Sequence, residues 1–593
     1  MRKTKKLVTT LLVPSVIATA VLSGCGGSGS NDATTTAATT KAPAATTAAA
    51  GDATTAAEPA GPWELLESLG NKEGDPLVTP RSSYITYPVD ASEATQTLKY
   101  WMPLPGNVSK NSPTVNETEW ARIWSEQTGI QVEFVHPTQG SENEEFGVLI
   151  ASGTLPDIIE WEWTSSYTGG PAAAEKEGVL IILDEYISEY GAAADVWQYL
   201  QDNPTVNREV KNDEGSYYCF PFIRGDKYLQ CTSGPLYRAD LLEKAGYTGE
   251  LVTIDDWTNA LTALKEYGVE KPLAFQDQNY LMNFSLNAYE VRNAMYVEHG
   301  TQTVKNGAME EGYKNWIIQQ RAWMDAGLLD SEVMTKIGKE TLNNYMMTGT
   351  AAATYGAGGG YMGTYLTTAA KDPATYGEDF NVEAANFPVL NKGDVVKYGG
   401  ASYDYATTSK ASASITADCE NPELAAKFLN WCYSEKGHDM INFGEEGVSF
   451  NYVDGEPIYT DEVMKNPNGL TVAVAMAHWG RGNMSGAFVQ DPGYITQYYE
   501  TDQQKRALAM WNDESDSQPS LIPPITMTEE ESKEYSVLNG QVDTYITEMR
   551  AKFITGEADV EAEWDTYVQT LKDLGIERMI ELQQAALDRY NAR

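Results

Sequence analysis

Histidine and cysteine are scarce in this 593-residue chain, with four of the first and five of the second. The histidines (His136, His299, His438 and His478) never fall at a ligand spacing such as HExxH. The cysteines never form CxxC, which argues against a zinc site. No GxSxG elbow occurs, and the glycine-rich run at 356–360 is not followed by Lys-Ser/Thr, so a phosphate loop for nucleotides is excluded. Basic residues are few beside acidic ones, 42 Lys and Arg against 84 Asp and Glu, for a formal charge of −42. A body this acidic repels phosphates, which counts against nucleic acid or an anionic membrane surface as its partner. It also disfavours a polyanionic ligand unless a local basic pocket overrides the global field. Beyond the first two dozen residues there is no apolar run near the length of about 20 that a membrane span takes. No internal repeat is apparent.

What is present begins with a leader. Arg2, Lys3, Lys5 and Lys6 precede a mostly apolar run at 7–22, which reaches Leu22-Ser23-Gly24-Cys25. Small residues before a cysteine make 1–24 resemble a bacterial lipoprotein signal peptide, with Cys25 as the lipidated mature N-terminus. The plainer alternative is a secretory signal with a chance cysteine. Residues 25–62 are Thr, Ala, Gly, Ser and Pro with almost no bulky apolar side chain, a composition that does not fold and serves as a tether. Residues 63–95 are more mixed and read as an extension lying against the body. The remainder, about 500 residues, exceeds what one hydrophobic core organises, so two or more lobes are expected. Export permits disulfides. A bridge between Cys219 and Cys231 is conceivable, and buried free thiols at 219, 231, 419 and 432 are equally ordinary.

From Thr97 onward strands alternate with helices. Residues 98–102 read as a strand, and 116–128 as a helix with Trp120, Ile123 and Trp124 on one face and Gly129 as its stop. Residues 130–135 form the next strand, 144–152 a helix ended by Gly153, and 157–160 a third strand. This alternation predicts an α/β lobe with a parallel sheet, whose ligands bind beyond the carboxyl ends of the strands. A second lobe is expected after the strand-like segment 217–222, with helices at 238–246 and 254–267 and two long amphipathic helices at 528–554 and 561–591.

Several separated segments together carry the resemblance to one known family. Leu149-Ile150-Ala151-Ser152-Gly153-Thr154-Leu155-Pro156-Asp157 is similar to the family's turn into the third strand, and 178–187 to its G-x-I-x-x-LD segment. Glu214-Gly215-Ser216-Tyr217-Tyr218 to Pro221 resembles its crossing strand, and Gly234 to Gly246 its YRKDWLxKxG helix start. The most telling match is Asn421-Pro422-Glu423-Leu424-Ala425-Ala426-Lys427-Phe428-Leu429, followed by Ser434-Glu435-Lys436-Gly437. Asn421 there is placed to cap a helix whose first position is Pro422. Pro523-Pro524, Thr528 to Glu531 and Met549 to Gly556 complete the set, which resembles family 1 of the extracellular solute-binding proteins, in its large oligosaccharide-type ABC-importer subgroup. The resemblance implies a periplasmic-binding-protein-like fold, two α/β lobes joined by a hinge with the ligand cleft between them. Lobe 1 would hold 96–222 and 399–470, and lobe 2 would hold 223–398 and 471–593. It further implies a monomer that binds an oligosaccharide, catalyses nothing, needs no cofactor and works with permease subunits and a separate cytoplasmic ATPase. Some relatives carry an acidic calcium loop. Lys211-Asn212-Asp213-Glu214-Gly215 lacks its D-x-D-x-D-G pattern, so no metal is expected.

A sugar offers C–H faces and hydroxyls, which aromatic platforms and fixed donors match. Aromatics in expected cleft loops are therefore the candidates: Trp161 and Trp163 after the third strand, Tyr355 and Tyr361 flanking the glycine run, Tyr403 and Tyr405 near the return crossing, and Trp479. Arg224 follows the Pro221 crossing, and Arg481 stands in a Gly-Arg-Gly loop. Packing under loops is the plainer reading of each aromatic, an interlobe ion pair that of Arg224, and a solvated loop position that of Arg481. The glycines at 356–360 are expected to let backbone approach the ligand. Alternatives from other classes are a peptide or small-solute binder, a surface receptor on the same fold, and a secreted glycoside hydrolase.

Overall fold

The computed structural model describes residues 85–403, 405 and 412–593. The leader, Cys25, the tether and the first part of the 63–95 extension lie outside the described residues. From residue 85 the chain runs against the first lobe, where the Tyr87 hydroxyl donates to the Lys427 carbonyl (2.6 Å) and the Val89 N–H to that of Thr128 (2.9 Å).

Strand β1 (Leu98–Trp101) leads to helix Glu119–Thr128. The Thr118 hydroxyl caps this helix by accepting the Ala121 N–H (3.4 Å), and Trp120, Ile123 and Trp124 form its buried face, as the spacing predicts. Trp124 stacks on Phe428 with ring centroids 4.0 Å apart and donates to the Phe428 carbonyl (3.0 Å). β2 (Val132–Val135), helix Glu142–Ser152 and β3 (Ile158–Glu160) follow, and β1 lies between β2 and β3, parallel to both.

The second lobe opens with β4 (Ser233–Arg238). Helix Ile254–Tyr267 starts at a reciprocal capping box between Thr253 and Asp256. Next come β5 (Lys271–Leu273), the hairpin β6 (Met295–Val297) and β7 (Val304–Asn306), then β8 (Ala351–Ala357) and β9 (Val382–Ala384). The second sheet has the order β5-β8-β4-β9, with β4 antiparallel to both neighbours. The chain then returns, and β10 (Ala413–Ile415) pairs antiparallel with β3 to complete a first sheet of order β10-β3-β1-β2. Helix Pro422–Asn430 begins as expected, with Asn421 accepting the Leu424 N–H (3.1 Å). A small hairpin, β11 (Phe450–Val453) and β12 (Glu456–Tyr459), follows.

The C-terminal part differs from the expectation in one respect. Helix Glu529–Thr555 is continuous, but 561–591 is two helices, Val560–Asp573 and Ile576–Asn591. Gly575 breaks them at φ 98°, a left-handed conformation that a side chain would oppose.

Two large cores correspond to the two sheets. One gathers Val89 to Ile223, Tyr405 to Ile441, and Ala477 and Ala487 to Val489. The other gathers Cys231 to Val396 and Ala507 to Met579. A smaller core joins Tyr228 and Leu229 to Phe443, Tyr459, Met476, Tyr494 and Tyr499. The expected boundary at 470 therefore shifts: residues 477–489 return to the first lobe, and 443–499 also build this third core. The expected strand at 217–222 is an extended crossing instead. Phe220 bridges to Ala413, and Ile223 bridges both Tyr405 and Val489, so three passages of the chain meet side by side. The four described cysteines are free and buried. Burial pushes the thiols of Cys219, Cys231 and Cys419 up to about 12, which keeps them protonated and unreactive. Among the described residues no helix is long and apolar enough to cross a membrane.

Candidate ligand cleft

The crossing at Ile223, Tyr405 and Val489 fixes where the two lobes articulate. Arg224 follows it directly. Its guanidinium lies over the Phe222 ring at 5.3 Å, and Nη1 donates to Gln490 Oε1 (3.2 Å). Its Nε is buried without a partner. Burial pulls its pKa below the usual arginine value, and among the described residues no carboxylate comes within ion-pair distance.

Beside the crossings lies a cavity of about 420 Å³. Residues 230–233 and 398–401, the lobe 2 ends of two crossings, form one wall. Asn283, Asn287, Arg292 and Tyr355 form another. Tyr355 meets Tyr280 edge to face at 5.7 Å, and its hydroxyl donates to the Ser233 carbonyl (3.4 Å). Arg292 donates from Nε to Ser520 Oγ (2.6 Å) and from Nη2 to the Ser517 carbonyl (3.0 Å). Aromatic rings, amides and a guanidinium on one concave wall are the groups a polyhydroxylated solute matches.

A second cluster sits where β8 ends. The Lys339 ammonium lies over the Tyr361 ring at 4.5 Å, and the Tyr361 hydroxyl donates to Gln276 Oε1 (2.6 Å). Burial, and then the charge of Lys110 on the lobe 1 loop after β1, lower the pKa of Lys339.

Four expected contacts are sealed inside lobe 1. Trp161 has no exposed surface and Trp163 only 1 %. Phe146 is the one buried side chain of helix Glu142–Ser152, and the two indoles pack on it, at 5.5 and 5.4 Å. Neither ring offers a face to a ligand. The Tyr405 hydroxyl is taken by that of Tyr218 (2.5 Å). Arg481 spends its fork on Glu160, so it is neither a ligand contact nor a solvated loop residue. Tyr403 is half-buried and donates to the Leu521 carbonyl (3.2 Å), and Trp479 is half-buried against the third core. Only Tyr355, of the nine, lines the cavity. The glycine run serves a different neighbour from the one expected. A Cβ on Gly358 would stand 2.9 Å from the Tyr499 hydroxyl, and one on Gly359 2.5 Å from the Tyr498 ring. The close approach is thus made by Tyr498 and Tyr499. Asp213, in the loop without the calcium pattern, gives its carboxylate to Arg589 (3.0 Å) and Arg593 (2.6 Å). Among the described residues no three His, Cys, Asp or Glu side chains are grouped to hold a metal ion.

Sequence reasoning missed Arg292, Tyr398, Lys339 and Lys110. Arg292 stands in Glu290-Val291-Arg292-Asn293, where no periodicity or motif marks it, and its role comes only from the fold around it.

The family model for bacterial extracellular solute-binding proteins matches residues 112–439, more than half of the chain. The chain belongs to that family. Solved structures share the fold of this solute-binding protein over most of its length. An alginate-binding protein, in a crystal structure without calcium ion, is 21% identical, with 83% of this chain and 98% of that one covered at a TM-score of 0.66. An HMO-binding, ABC-transporter-associated solute-binding protein from Bifidobacterium longum infantis is 16% identical, covering 83% and 99% at 0.65. A Streptococcus pneumoniae ABC-transporter substrate-binding protein in complex with kestose is 20% identical, covering 84% and 100% at 0.64. No curated protein sequence matches the chain.

Proposed function

We propose that this solute-binding protein captures oligosaccharides outside the cell and hands them to an ABC permease, held to the outer face of the membrane by a lipid on Cys25. The observation that carries the reading is the cavity beside the crossings, whose lining includes Tyr355, Tyr398, Asn283 and Asn287. Rings cover the C–H faces of a sugar and amides pair with its hydroxyls. The structural neighbours that bind alginate, HMO and kestose support the same class. A ligand in this cavity favours closure only by its differential affinity for the closed arrangement, and the permease would read the closed surface. The protein acts as a monomer without cofactor, and ATP is hydrolysed by a separate cytoplasmic subunit.

The test is calorimetric titration of the protein without its leader against a glycan panel, with chromatography of the recovered ligand. Saturable binding with the glycan recovered intact is the expected result. Binding of peptides alone would defeat the sugar reading, and product formation would make the protein an enzyme.

A further inference from the structure

A chain with twice as many acidic as basic residues has carboxylates to spare for every cation it buries. Of the enclosed arginines elsewhere in it, Arg481 pairs with Glu160 at 2.7 Å and Arg238 with Asp240 at 2.7 Å, while Arg550 bonds Gln278 and Tyr313 instead. Among the described residues Arg292 has no carboxylate partner either. Its hydrogen bonds go to a serine hydroxyl and a backbone carbonyl, and the titratable groups around it are Cys231, Tyr403, Tyr355 and Tyr398, none of them a carboxylate. The nearest acid in sequence, Glu290, turns to Lys397 at 3.8 Å. Burial brings the Arg292 pKa down to about 10, so the side chain stays charged and carries its desolvation cost without a counterion. Arg224 at the crossing shares this condition: among the described residues it has no carboxylate partner, and its buried Nε is unpaired. Lys339 rests on the Tyr361 ring with only Glu340 as a minor acidic influence, and Lys110 of the other lobe adds positive charge opposite it.

Arg292 combines this lack with a place in the lining of the cavity, where a ligand's carboxylate can reach it. We propose that the cavity of about 420 Å³ is an acid-accepting subsite, in which Arg292 receives the carboxylate of a uronic or other carboxylated sugar. This rests on the oligosaccharide reading above and narrows it. The remaining guanidinium donors supply a planar carboxylate with charge-assisted hydrogen bonds. Asn283, Asn287 and Tyr355 bound the volume around the acid's ring. The local cations also offset the negative field of the whole protein, which would otherwise slow the approach of an acidic ligand.

The experiment titrates the protein without its leader with oligogalacturonates, oligomannuronates, glucuronate-containing and sialylated oligosaccharides. Each is paired with its carboxyl-reduced counterpart of the same length. The expected result is that an acidic glycan binds and that reducing its carboxyls weakens binding by about 10–100-fold, the worth of a hydrogen bond to a charged group. Arg292→Met should bring the ratio of the two affinities close to one, and Arg292→Lys should keep part of it. The wild-type ratio needs no variant, so a misfolded Arg292→Met leaves the test intact. Equal affinity for acid and reduced forms, or binding of neutral glycans only, overturns the subsite and leaves the oligosaccharide reading standing. Failure of every glycan, acidic and neutral, overturns both.

Discussion

Arg481 and Glu160 face each other through two hydrogen bonds, Nη2 to Oε1 at 2.7 Å and Nη1 to Oε2 at 3.1 Å, inside lobe 1. They are 321 positions apart in sequence. The carboxylate also accepts the Tyr100 hydroxyl (2.6 Å), and Arg481 donates to the Ser485 carbonyl (2.5 Å) while lying over the Trp120 ring at 4.9 Å. The pair thus pins the segment after Trp479 to the carboxyl end of β3 and so fixes one of the three crossings.

Breaking this pair from one side strands a buried charge. Arg481→Met and Glu160→Gln should each lower unfolding free energy by about 3–5 kcal/mol. The double variant should lose less than the sum, as expected for partners in one network. Urea denaturation of the four proteins checks this, and additive losses would mean that the two side chains act independently.

Aromatic residues divide by location. Tyr355→Ala should weaken oligosaccharide binding by about 1–3 kcal/mol, the worth of covering a large side chain, and Tyr361→Ala, outside the cavity, should not. Trp161→Ala should instead cost about 3–5 kcal/mol of stability, since its ring fills the space between Trp101 and Phe146. Calorimetry and thermal unfolding of the same three variants separate the two effects. Full stability in Trp161→Ala, with lost binding, would restore that residue to the cleft.

The comparison of sequence with structure turns on what each residue depends upon. Asn421, Pro422 and Gly129 act on their own helices, so their roles were readable from the residues beside them. The same holds for Trp120, Ile123 and Trp124, whose spacing alone names a buried face. Trp161 and Arg481 were misplaced because their partners, Phe146 and Glu160, come from other elements, and a loop position does not reveal which way a side chain turns. The glycine run was recognised as a place of close approach, but Tyr498 and Tyr499 lie some 140 positions away and gave no local signal. Arg292 is the extreme case, because its meaning is the absence of a carboxylate in three dimensions.

His438 makes stability depend on pH. Burial disfavours its charged form, but the hydrogen bond to Asp491 (3.0 Å) and the nearby Asp439 outweigh this and raise its pKa above the usual value. A raised folded pKa contributes stability that is fully present below about 6.5, the unfolded value, and lost as pH climbs through the folded one. The stability advantage of wild type over His438→Gln should therefore be largest near pH 6 and shrink toward pH 9. Denaturation of both proteins at each pH measures it, and a gap that widens with pH would reverse the assignment.

Anchoring has its own test. Cys25→Ser removes the thiol that the lipobox-like leader presents, so the precursor expressed in its host should take up no lipid label and leave the detergent phase. A variant that still carries the label would disprove lipidation at this position.

The central claim is that a glycan held beside the crossings draws the two lobes together. Small-angle X-ray scattering of the protein without its leader, recorded with and without a glycan shown to bind by calorimetry, tests it most directly. The account predicts a smaller radius of gyration at saturation, with the change lost in Tyr355→Ala at the same glycan concentration. An unchanged radius at saturating glycan would contradict it.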